Sequence, residues 1–130
     1  MDDPIWISEE LTLAIHQRQL AEQGGISGVR DPGLLASALA RPRQLFAYAD
    51  PPVDVQAMAA SYAFGIARNH PFLDGNKRTT AVVCETFIDL NGQQLQAEDA
   101  EMYTVFLNLA AGSVTEAELA EWLRGHLKQA

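Results

Sequence analysis

Helix-start residues and Gly or Pro stops alternate along the chain, and the apolar residues between them return every three or four positions. Ser8 can cap a first helix, with Glu9 and Glu10 suited to the positive end of its dipole. That helix carries Leu11, Ile15 and Leu20 and stops at Gly24-Gly25. Asp31-Pro32 pairs a capping side chain with a proline at the first helical position, and the stripe Leu34, Leu35, Ala38, Leu39 follows until Pro42 limits it. After the break at Pro51-Pro52, Asp54 caps a third helix with Met58, Tyr62 and Ile66, fading near Asn69.

A fourth helix, from about Lys77 to Leu90, is apolar on most faces through Ala81, Val82, Val83, Cys84, Phe87 and Ile88. A helix of this kind is normally surrounded by others, which predicts that it lies at the centre. Asn91-Gly92 is its stop. Met102, Val105, Phe106 and Leu109 mark a fifth helix ending at Gly112. Thr115 and Glu118 form a capping box for a sixth, whose buried face includes Leu119, Trp122 and Leu123. Residues 93–96 could supply at most a short extended piece. The expected fold is all-α: about six helices around a central apolar helix, in a single domain spanning residues 1–130.

The 130 residues fit one domain, and a chain of this length removes roughly two-thirds of its surface from water on folding. The net charge of −8 argues against a protein that grips nucleic acid by counterion release. One cysteine allows no intrachain disulfide, and no apolar run reaches the length of a membrane span. The acidic start Met1-Asp2-Asp3-Pro4 lacks the basic region of a secretion signal. These features predict a soluble cytoplasmic protein that engages neither nucleic acid nor membrane.

His70, Asp74, Asn76, Lys77 and Arg78 lie within nine residues, just before the fourth helix. Unpaired amides at a helix N-terminus, together with the dipole, form an anion site, and phosphate is a common occupant. Gly75 lets the backbone approach a ligand without a Cβ in the way. His70 brings an imidazole, which can take a proton from an attacking hydroxyl. Asp74 is a hard oxygen ligand suited to Mg²⁺ against phosphate oxygens. Arg78 offers a planar fork and Lys77 a mobile point charge. Asn76 can cap the helix or donate to a phosphate oxygen, and Phe72 anchors the loop in the core behind Pro71.

Each of these residues also has a plainer reading. Asp74-Gly75 is an ordinary turn signal, and Lys77-Arg78 could be a solvated pair, although positive charge there opposes the dipole. Arg30 and Arg68 divide evenly between ligand contacts and surface salt bridges. Arg41 and Arg43 could line a nucleotide cleft or belong to an exposed basic turn. His16 and His126 have no ligand neighbours at metal spacing and read as surface residues. Cys84 reads as core filler, and Trp6 and Trp122 as packing residues.

The segment His70-Pro71-Phe72-Leu73-Asp74-Gly75-Asn76-Lys77-Arg78 resembles the signature of the Fic/Doc (Fido) superfamily, His-x-Phe-x-Asp/Glu-Gly/Ala-Asn-x-Arg. His70, Phe72, Asp74, Gly75, Asn76 and Arg78 all match. Most adenylyl-transferring members have Gly where this chain has Lys77, and a second arginine where it has Ala81. Both departures are typical of the Doc branch, toxins of type II toxin–antitoxin modules. Gly28-Val29-Arg30-Asp31 and the run from Gly33 to Pro42 resemble the Doc upstream segment, and Arg68 matches a further basic position.

The resemblance implies a kinase that passes the γ-phosphate of ATP to a threonine of elongation factor Tu and so stops translation. His70 would be the base and Asp74 the Mg²⁺ ligand, with Lys77, Arg78 and Arg68 as phosphate clamps. The alternatives are an adenylyltransferase on the same fold and a silent relative that only binds its antitoxin. No Ser/Thr-x-x-x-Glu-Gly/Asn inhibitory segment of the Fic type occurs. A cognate antitoxin, docking a helix in a groove beside the loop, is the expected restraint.

Overall fold

Side chains that satisfy orphan amides mark most of the helix starts. Ser8 accepts from the Leu11 amide, Asp31 from Leu34, Asp54 from Ala57, and Thr115 from Glu118. The computed structural model describes residues 3–129. Its order is α1 (Glu9–Gln23), α2 (Pro32–Tyr48), α3 (Val55–Asn69), α4 (Asn76–Leu90), β1 (Gln93–Leu95), α5 (Asp99–Ala111), α6 (Glu116–Arg124) and β2 (Leu127–Gln129). The two strands pair antiparallel, with Gln94 opposite Lys128. The extended piece expected near residue 93 is therefore present, held by a partner strand from the end of the chain. One hydrophobic cluster takes residues from all six helices, from Ile15 on α1 to Leu123 on α6.

The most enclosed helix is α3 rather than α4. Nine of its residues are buried, against seven on α4, and it packs on α2, α4, α5 and α6. The difference lies in residue size. Ala59, Ala60, Ala63 and Gly65 give α3 a small-residue surface that neighbours approach closely. A Cβ at Gly65 would lie 3.2 Å from both Cα and Cβ of Ala38, so α2 crosses α3 where no side chain intervenes. On α4, Ala81 and Val82 are only half-buried, and Ala81 lines the groove toward α5.

Pro42 does not end the second helix; α2 runs on through it to Tyr48. An interior proline costs about 3 kcal/mol or more through the lost amide and the clash with the preceding turn. Here its ring occupies the buried stripe Leu35, Ala38, Leu39, Pro42, and Leu45 and Phe46 extend the packing beyond it. Burial on both sides offsets the cost. The N-terminal segment is tied down in turn, with Trp6 against Phe46 and Phe87 and the Ile7 amide donating to the Tyr62 hydroxyl. Cys84 is fully buried, and its thiol pKa is pushed up strongly by that burial, as core filler should be. No helix among the described residues is long and apolar enough to cross a membrane.

Candidate active site

At the end of α3 the chain turns through His70, whose backbone is left-handed (φ 52°, ψ 55°). The next residues are sewn to the segment between α1 and α2. Pro71 accepts from the amides of Arg30 and Asp31 at 2.7 and 3.1 Å, and the Leu73 amide donates to Gly28. Phe72 is completely buried, as expected of an anchor. Its ring lies flat on the imidazole of His16, with centroids 3.8 Å apart.

His16 was expected on the surface and is instead 1% exposed. Its Nε2 donates to the carbonyl of Asp74 at 2.8 Å, so α1 supports the loop from beneath. A signal existed in the sequence: Thr12, His16 and Leu20 fall on one helical face, and all three are buried. His126 is likewise half-buried, stacked on Trp122 with Nε2 2.7 Å from Glu101.

Asn76 is the loop's inner brace. Its Oδ1 accepts from the Phe72 amide at 3.0 Å, while Nδ2 donates to the Phe72 carbonyl at 2.9 Å and to His70 Nδ1 at 3.1 Å. The backbone amide can only donate, so the side-chain amide is oriented unambiguously. His70 Nδ1 is consequently an acceptor, and the neutral ring carries its proton on Nε2. To take a substrate proton at Nε2, the ring must first release Asn76 and adopt the other tautomer. The expected capping role is absent, since α4 has no side-chain cap.

The carboxylate of Asp74 lies at the lip of the loop. Amides of Ile26 and Gly75 donate to its two oxygens at 3.1 and 2.8 Å, and these bonds, Ile26 first, hold its pKa below the usual carboxylate value. Each oxygen keeps a lone pair free. Gly25, at φ 130°, makes this wrap possible, because a Cβ there would sit 2.8 Å from Asp74 Oδ2. Among the described residues there is no cluster of three or more His, Cys, Asp or Glu that could enclose a metal ion. A single ionised carboxylate with free lone pairs nevertheless fits Mg²⁺, which keeps its waters and binds chiefly through one or two carboxylates and substrate phosphates.

The amides of Asn76, Lys77 and Arg78 form the first turn of α4 and find no acceptor among the described residues. No acidic side chain occupies that turn. Gly75, at φ 77°, leads into it. Lys77 is exposed and makes no hydrogen bond or ion pair among the described residues. Arg78 is half-buried, its fork donating to the Gly24 carbonyl at 3.2 Å and to Gln23 at 3.4 Å, both at the end of α1. His70, Asp74, Asn76, Lys77 and Arg78 line one open cavity of about 400 Å³, joined by Tyr103 from α5. Tyr103, 68% exposed, gave no signal in the sequence, where it sits on the polar side of its helix.

The other arginines stand elsewhere. Arg68 is not among the cavity's lining residues; its guanidinium lies over Phe64, 5.6 Å from the ring centre. Arg41 also covers Phe64 and pairs with Glu116 at the start of α6, while Arg43 stacks over Trp6. Both lie within α2 because that helix continues past Pro42, so neither belongs to a basic turn or to the loop's cavity. Arg30 is exposed and donates to backbone carbonyls only.

Comparison with known proteins gives a consistent answer. Over 118 residues the chain is 30% identical to the protein named Protein kinase doc of Escherichia phage P1, covering 91% of this chain and 92% of that protein. Over 75 residues it is 43% identical to Toxin Doc of Mycolicibacterium smegmatis, covering 58% of each. A model of the Fic/DOC family matches residues 6–88, which run from the N-terminal segment into the last turn of α4 and include the whole loop. The chain belongs to the Fic/DOC family.

Proposed function

We propose that the chain is a Doc-like toxin and protein kinase, transferring the γ-phosphate of ATP to a hydroxyl of a target protein, a threonine of elongation factor Tu. The observation that carries this reading is the bare N-terminus of α4, with three unclaimed amides and two cations beside an exposed histidine. Its support from outside the chain is the similarity to a relative named as a protein kinase and another named as a toxin.

In this reading the α4 amides and Lys77 hold the phosphates, and Arg78 exchanges its long bonds to Gln23 and Gly24 for a phosphate oxygen. Arg68, set over Phe64, is left out of the clamp. Asp74 would hold Mg²⁺, which when bound offsets the negative charge of the phosphates. His70 takes the proton of the attacking hydroxyl once Nε2 has a free lone pair. Phe72, His16 and Asn76 keep the loop's backbone in place throughout.

The antitoxin has a candidate seat beside this site. Between α4 and α5 lies a groove of about 200 Å³ lined by Ala81, Met102, Tyr103, Phe106 and Leu107, with Lys77 and Arg78 at its edge. An amphipathic helix with apolar residues at i, i+3 and i+4 would fit it, and would cover the cations of the loop. Co-expression with the adjacent small gene product tests this: co-purification and relief of toxicity are expected, and failure of both contradicts it.

The transferred group is decided by incubating the protein with elongation factor Tu, Mg²⁺ and ATP labelled at the α- or the γ-phosphate. Label from the γ-position alone is expected. Label from the α-position alone would replace the kinase by an adenylyltransferase. Transfer from neither, with His70→Ala equally inert, would favour a silent antitoxin binder or a different target.

A further inference from the structure

The left-handed backbone at His70 needs a cause. Only glycine adopts that region freely, and helices that end this way usually place Gly or Asn there. Here the position carries the histidine that faces the cavity, so the conformation must be imposed from outside the residue. We propose that Arg30 is the positioning residue that imposes it, by clamping the two carbonyls that flank the turn. The proposal rests on the reading of His70 as the base.

Two charge-assisted bonds carry the argument. Arg30 Nε donates to the carbonyl of His70 and Nη2 to that of Asn69, each at 2.8 Å. Two parallel donors of one planar fork thus meet two successive carbonyls at the C-terminus of α3, where orphan acceptors and the negative end of the dipole favour a cation. The bond from the His70 amide to Ile66 cannot do this work, because a continuing helix would make it too. Asn69 is held separately, its Nδ2 donating to the Leu34 carbonyl at 2.9 Å.

Arg30 pairs with no acidic side chain among the described residues, which removes the surface salt bridge as its role. Nor is it among the residues lining the cavity that holds His70. It lies 40 residues from His70 in the chain, on the segment whose backbone already holds Pro71. The guanidinium therefore completes a clamp that the amides of Arg30 and Asp31 begin, and it links the α1–α2 connection to the catalytic loop.

The test compares Arg30→Met and Arg30→Lys with the wild-type chain. In Arg30→Met, kcat for transfer should fall about tenfold with KM for ATP little changed, matching the cost of a left-handed non-glycine residue. Lysine, which lacks the fork, should recover only part of this. Guanidinium ion at millimolar concentration should restore activity to Arg30→Ala. Independently of activity, the backbone carbon shifts of His70 in labelled protein should leave the left-handed range in Arg30→Met, with changes confined to residues 69–73. Unchanged His70 shifts would overturn the proposal, as would changes spread over the whole chain. Altered shifts without any transfer in the wild type would keep the clamp and count against the proposed kinase acting on elongation factor Tu.

Discussion

Two helices of this molecule begin in opposite ways. At α6, Thr115 and Glu118 satisfy each other's amides, and Glu116 and Glu118 place negative charge on the positive end of the dipole. At α4, Gly75 offers no side chain, no acidic residue lies in the first turn, and Lys77 and Arg78 stand where positive charge is least favourable. The first start is finished within its own sequence. The second is held by the loop before it, with Asn76 bonded back to Phe72 and His16 bonded to the Asp74 carbonyl from beneath, and leaves its amides open. The contrast separates a helix end capped within its own sequence from one that forgoes local stability, which is where the proposed function places the phosphates.

The largest blow to this contrast should come from removing the outside support. Phe72→Ala deletes a fully buried ring stacked on His16, and should cost about 3–5 kcal/mol in denaturant unfolding. A loss below about 1 kcal/mol would mean that the loop does not depend on its anchor. Next, Lys77→Glu makes α4 begin as α6 does. Transfer should fall at least about a hundredfold, roughly 2.7 kcal/mol, while thermal stability holds or rises slightly. Preserved activity would contradict the assignment of this turn to phosphate. Lys77→Gly should also lose kinase activity, and unchanged transfer would undercut the role given to that lysine.

A smaller effect is expected at the other end of the comparison. Thr115→Ala should cost about 1 kcal/mol of stability and leave transfer intact, because no residue of α6 lines the loop's cavity. The smallest effect concerns acid. Asp74 has its pKa lowered in the folded state by the Ile26 and Gly75 amides, so its contribution is present above the unfolded value and is lost as pH falls through the folded one. Below about pH 4 the wild-type chain should lose stability more steeply than Asp74→Asn. Parallel acid limbs for the two proteins would show that those amide bonds add nothing.

Much of the fold was legible because helix starts are local. Ser8, Asp31, Asp54 and Thr115 each act within three residues of themselves, and each caps the expected helix. What depended on distant partners was not legible. Pro42 reads as a stop until its ring is found in the α2 stripe, and α4 reads as central until the small residues of α3 are seen to admit α2. β2 becomes a strand only by pairing with β1.

The site divides the same way. His70, Asp74, Asn76, Lys77 and Arg78 are contiguous enough to be recognised together, and the fold gathers them round one cavity. Tyr103 and the Ile26 amide reach that region from α5 and from the connection after α1, through contacts that no local pattern announces, whereas the burial of His16 was legible from its helical face with Thr12 and Leu20 and only its bond to the Asp74 carbonyl was not. Arg68, expected as a clamp from the resemblance, and Arg41, for which a nucleotide cleft was one of two readings, both lie over Phe64. Charge counted along a sequence does not say which way a guanidinium faces.

Amide NMR of the labelled protein decides whether the open N-terminus of α4 receives the nucleotide's phosphates, as proposed. On titration with ATP and Mg²⁺, saturable shifts are expected at the amides of Asn76, Lys77 and Arg78, abolished by Lys77→Glu, with the start of α6 at Glu116 and Ala117 unmoved. Saturable binding that leaves those three α4 amides in place would contradict the proposal.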